Sequence, residues 1–198
     1  MNAPVSHAPV TAAATGLPRR AFSIAEVERM VEVGLLHEDE RLELIGGELV
    51  MMSPKGIRHE VVKEALVRHW TRLLPDNTLG LISETTFRLS HDTYLEPDIV
   101  VFDRARGLKT LNGDTALLAV EIADSSLGYD LGRKPAIYAA FGVRELWVID
   151  AIHLVTHIHR DPAPLGYRDI VAHAADETLT PLLAPALPLT LTALDLAE

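Results

Sequence analysis

The chain has 198 residues, 48% of them hydrophobic, with 28 acids against 18 Lys and Arg, a formal net charge of -10 and no cysteine. That length and apolar content suit one substantial core and do not call for a second. The missing cysteines exclude disulfides, thiolate nucleophiles and cysteine zinc sites, and no run approaches the roughly 20 apolar residues of a membrane span, so a cytoplasmic chain without membrane contact is expected.

Residues 1–20, rich in Ala, Pro and Thr without periodicity, read as a flexible leader, leaving 21–198 as a single domain. Ser23 and Glu26 form an S-x-x-E capping box that starts a helix through about Gly34. The strands RLELI and ELVMMS follow, joined at Gly46-Gly47, a two-residue hairpin turn. Residues Ile57 to Leu74 carry a helical stripe of Val61, Ala65, Leu66, Trp70 and Leu73, ended by Pro75 and Asp76. Strands near 79–89, 95–102 and 116–123 come next, then a helix near 133–141 and strands near 144–149, 153–159 and 167–172. This order predicts an α+β fold, a mixed sheet with helices on its faces. The tail TPLLAPALPLTLTALDL is too proline-punctuated for a long helix and is expected to lie along the body.

Two acids stand out against this frame. Side chains alternate along a strand, so Asp98 in EPDIVVFD shares a face with Val100 and Phe102 at the start of a strand built for burial. Glu121 in LLAVEIAD is flanked by Val120 and Ile122, and an ionised carboxylate there costs several kcal/mol unless compensated. A magnesium ion, which takes oxygen ligands, answers both acids at once, with manganese as its substitute. Lys134, followed at helical spacing by Tyr138 and Phe141, puts an ammonium on an apolar stripe, where lysine is rare unless paired.

The stretches RLELIGGELVMMSPKGIRHE, LEPDIVVFD and AVEIADSSLGYDLGRKPAIYAAFGVRELWVID, in this order, resemble the Uma-type family of "putative restriction endonucleases" within the PD-(D/E)XK nuclease superfamily. The resemblance implies a restriction-endonuclease-like sheet with an α-β-β-β-α-β core and metal-dependent hydrolysis of phosphodiester bonds in nucleic acid, DNA first. By it, Asp98 is the Asp of the PD element and Glu121 the following acid, while Lys134 is a catalytic lysine moved onto the adjoining helix, since Ala123 stands where the superfamily has its own. Glu43 matches an early acid and His59 a histidine at the start of the first long helix, held as a second-tier candidate. The Ile122 carbonyl joins Asp98, Glu121 and Glu43 as an implied metal ligand. Gly46 departs from the family's frequent Asp, and cutting two strands favours a homodimer.

Each residue has a competing reading. Asp98 could cap a turn, Glu121 could be an ion-paired structural acid, Lys134 could snorkel from a helix start, and Glu43 could face solvent with Arg41. His59 reads more readily as structural. His153, His157 and His159 share strand parity and read as solvated on an exposed hairpin rather than metal-binding, and Ser125-Ser126 as a turn rather than a nucleophile. The acidic balance weighs against nucleic acid, although Arg58, Lys63, Arg68 and Arg72 share the long helix and Arg104, Arg106, Lys109, Arg133 and Arg144 lie near the motifs. It supports the alternative of a catalytically silent binding or assembly module on the same fold.

Overall fold

The computed structural model describes residues 19–37, 39–75, 78–124 and 126–196. The leader, but for residues 19 and 20, lies outside them, as do Asp76 and Ser125. Helix α1, Ile24–Glu32, starts at the expected box: the Ser23 side chain accepts from the Glu26 amide and the Glu26 carboxylate accepts from the Ser23 amide at 2.9 Å. The hairpin β1, Leu42–Ile45, and β2, Glu48–Met51, turns at Gly46 and Gly47 with φ of 57° and 79°. Two consecutive positive φ values match the strand twist, and a Cβ at Gly47 would come within 2.5 Å of Ala21 Cβ.

Helix α2, Ile57–Leu73, buries Val62, Ala65, Leu66 and Trp70. Its inward stripe therefore includes Val62, whereas Val61 is half-buried and Leu73 is exposed at the helix end. The segment expected as one strand over 79–89 divides into β3, Leu79–Ser83, and a two-residue β4, Phe87–Arg88. A further short strand, β5, Tyr94–Leu95, precedes β6, Ile99–Asp103, and β7, Ala116–Ala123. The helix expected over 133–141 is α4, Lys134–Ala140, preceded by the separate α3, Leu127–Gly132. Pro135 falls in the first turn of α4, where its missing N–H costs nothing. Strands β8, Glu145–Asp150, β9, Val155–Ala163, and β10, Gly166–His173, complete the set.

These strands form two sheets rather than one. The larger, ordered β10-β9-β8-β7-β6-β3, is mixed, with β7 and β8 parallel and the other pairs antiparallel. The succession α2-β3-β6-β7-α4-β8 gives its centre the expected α-β-β-β-α-β course. The smaller sheet, β2-β1-β5-β4, is antiparallel.

One face of the large sheet, with Ile99, Val120 and Ile122, packs on α2 and on tail residues Leu179, Ala184, Leu187 and Leu189. The tail thus lies on the body as expected. The opposite face, with Val100, Ala119 and Ala123, packs on Tyr138 and Ala139 of α4. Among the described residues no helix is long and apolar enough to cross a membrane. His159 is buried against the Tyr167 ring at 5.6 Å, and His153 sits in the turn before β9, bonded to Asp150 at 2.7 Å. The three histidines therefore share no exposed face.

Candidate active site

Strand register brings the two acids together. β6 pairs with β7 as Ile99↔Val120 and Val100↔Ala119, so one step further Asp98 stands opposite Glu121. Like charges directly opposed across a ladder repel, and both residues are buried, at 3% exposure each. By parity both project toward the α4 face, and that face supplies the compensation for Glu121.

Lys134 opens α4 with its Nζ 3.1 Å from Glu121 Oε1, 3.1 Å from Glu43 Oε1 and 3.6 Å from Asp130 Oδ1. It is itself 4% exposed. One turn along, the Tyr138 hydroxyl donates to the same Glu121 oxygen at 2.5 Å. Burial alone favours a neutral amine, but Glu121, Glu43 and Asp130 overcome it and raise the Lys134 pKa, keeping the ammonium charged. Burial pushes Glu121 up to about 8; Lys134 opposes the rise, and the charges of Asp98, Asp130 and Glu43 add to it.

Glu43 is 1% exposed, so the solvent-facing alternative is excluded. It reaches the site from β1 in the smaller sheet, accepting the Glu96 amide at 3.2 Å. The structure thus joins Glu43, Glu121 and Lys134 across the seam of the two sheets.

Asp98 has a different set of partners. Its Oδ2 accepts the Ile122 amide at 2.7 Å, while Oδ1 receives Lys55 Nζ at 2.7 Å and lies 2.9 Å from His59 Nε2. Burial would raise this carboxyl, but the His59 hydrogen bond, with the His59 and Lys55 charges, holds it down at about 2. His59, 5% exposed on α2, therefore touches the candidate acid directly. Protein groups reach each acid separately, Lys134 and Tyr138 at Glu121 and Lys55 and His59 at Asp98.

Sequence reasoning missed Lys55 and Asp130. Lys55 sits in an SPKG loop with no periodicity to aim its side chain. Asp130 stands four residues before Lys134, the helical spacing for an ion pair, and that signal was available. These residues line a cleft of about 320 Å³, with Arg41, Met52, Tyr129 and the loop before α2 forming its rim. Six acids (Glu43, Glu96, Asp98, Glu121, Asp124 and Asp130) outnumber Arg41, Lys55, Lys134 and His59 there, so the cleft is a cation-attracting surface.

Among the described residues no three His, Cys, Asp or Glu side chains converge closely enough to hold a metal ion. Asp98 and Glu121 nevertheless form a paired, all-oxygen donor set at a cleft wall, and magnesium commonly takes one or two carboxylates plus water. On that chemistry the residues fit such an ion.

A family model for Uma2, described as "Putative restriction endonuclease", matches residues 24–193. Among solved structures, "a putative nuclease belonging to DUF820" from Anabaena variabilis matches with a TM-score of 0.60 at 17% identity, covering 81% of this chain and 93% of that one. At that identity the likeness is one of fold. No curated protein matches the chain.

Proposed function

Because the chain belongs to the Uma2 family, we propose that it is a divalent-metal-dependent endonuclease hydrolysing phosphodiester bonds, with DNA as substrate, within one catalytic unit spanning 21–198. The observation that carries the reading is the buried Lys134 ammonium within 3.1 Å of both Glu43 and Glu121, with Asp98 opposite Glu121 in the ladder. Asp98 and Glu121, with the Ile122 carbonyl, would hold magnesium or manganese, while Glu43, the third acid expected as a ligand, pairs with Lys134 beside them. Once bound, such an ion neutralises phosphate charge and acidifies a water. Lys134 stabilises charge developing on the phosphate oxygens, held in place by Glu43 and Asp130. Tyr138 fixes one Glu121 oxygen, and His59 orients Asp98. A homodimer would present two such sites to a duplex.

A phosphate backbone would meet net negative charge at this acid-lined cleft, which a cation held by Asp98 and Glu121 would offset. The same ion pairing favours the rival reading of a silent binding module, since every proposed ligand side chain has a partner within the protein. Supercoiled plasmid, single-stranded DNA and RNA, each offered with magnesium or manganese, separate the two. Metal-dependent cutting that falls by about 100-fold or more in Asp98→Ala and Lys134→Met, both verified as folded, is expected. A wild type that cuts nothing, or variants that cut equally well, leaves the module reading in place.

A further inference from the structure

Lys55 touches Asp98 directly, yet the proposed chemistry does not use it. Its Nζ bridges Asp98 Oδ1 at 2.7 Å and Glu84 Oε1 at 2.5 Å, and its side chain is 13% exposed. Asp98 Oδ1 already carries two contacts, Lys55 and His59, and Oδ2 accepts the Ile122 amide. A carboxylate oxygen offers about two acceptor sites, so a cation approaching Oδ1 meets both of them filled. One occupant must leave. His59 is set within the first turn of α2, whereas Lys55 extends a flexible stem from the preceding loop.

Glu84 makes the departure of Lys55 cheap. It holds a left-handed backbone, φ 52°, unusual for a residue with a side chain, and its amide bonds the Asp98 carbonyl at 3.3 Å. Its carboxylate keeps Lys55 and also receives Lys63 at 2.8 Å. An ammonium that releases Asp98 is therefore still paired. We propose that Lys55 is a positioning residue that occupies the metal-binding oxygen of Asp98 in the metal-free protein and is displaced onto Glu84 when a divalent cation binds. This rests on the proposed assignment of Asp98 as a ligand.

Calorimetric titration of the full chain with Ca²⁺ and Mn²⁺ tests it without turnover, comparing wild type, Lys55→Met, Lys63→Met and Asp98→Asn. Lys55→Met should bind about 10-fold more tightly, the scale of one charge-assisted hydrogen bond. Lys63→Met, which removes a cation from Glu84 but no contact to Asp98, should stay within about twofold of wild type if direct occupancy is what matters. In wild type, acetylation of Lys55 by acetic anhydride, read by mass spectrometry, should rise on saturation with Ca²⁺. Equal affinities for Lys55→Met and wild type, equal gains for both lysine variants, or metal-insensitive labelling each overturn the displacement. Asp98→Asn binding metal as well as wild type does would instead sink the ligand assignment, and the displacement with it.

Discussion

Lys134→Met removes a single ammonium that neutralises Glu43, Glu121 and Asp130 at 3.1, 3.1 and 3.6 Å. At 4% exposure it gains little screening from solvent, so the discount applied to surface pairs does not hold. Removing one partner of a buried ion pair typically costs about 3–5 kcal/mol. Glu121, already pushed up to about 8 by burial, can take a proton in the variant, which places the loss near the lower end, about 3 kcal/mol. Against the usual reserve of about 5–15 kcal/mol, the variant stays folded but fragile. Urea unfolding at pH 9, where wild-type Glu121 is ionised, followed by the buried Trp70 and Trp147, measures the difference. Adding Glu121→Gln to the variant should recover more than about 1 kcal/mol, because the amide keeps a polar partner for Tyr138 without a charge to neutralise. A loss under about 1 kcal/mol in Lys134→Met, or strict additivity in the cycle, would falsify the claim that this lysine holds the acids in the core. The number also governs the cleavage assay, which must be run below the variant's unfolding range.

Burial, with the His157 charge behind it, lowers His159 from 6.5 to about 4. The group binds its proton more readily when unfolded, so its stability is complete above pH 6.5 and drains away as pH falls toward 4. By pH 4.5 the loss amounts to about 2–3 kcal/mol, and His159→Phe should flatten that part of the urea-midpoint profile; an unchanged profile rejects the assignment. Ser23→Ala opens the α1 capping box and should cost about 1 kcal/mol at any pH between 6 and 8, whereas Ser23→Asn should restore nearly all of it.

Much of the site was legible because strand parity and helix spacing are local rules. Asp98 and Glu121 were conspicuous as acids in apolar strands, and Lys134 as an ammonium on an apolar stripe. The span 116–123 of β7 and the start of α2 at Ile57 follow from the same periodicity. What escaped depends on distant partners. The β1–β2 hairpin was legible, but β1 pairs with β5 across the whole of α2 and β3, so nothing local shows that the hairpin grows into a second sheet. β4 and β5 are two residues each, too short for alternation to register. His159 shares its face of β9 with the polar His157 and Asp161, and its interior place shows only where Tyr167 packs over it. That Lys55 meets Asp98 depends on how the SPKG loop lies over the end of β6.

The seam between the two sheets sets a time at which this site can come into being. A chain leaving the ribosome carries Glu43 early, but the ammonium that holds it arrives only with α4, after both central strands have been made. Until the small sheet docks, Glu43 and Lys134 are strangers, and no fragment ending before residue 134 contains the full constellation. A nascent chain therefore cannot close the contacts among Glu43, Glu121 and Lys134 until α4 has been made and the two sheets have met.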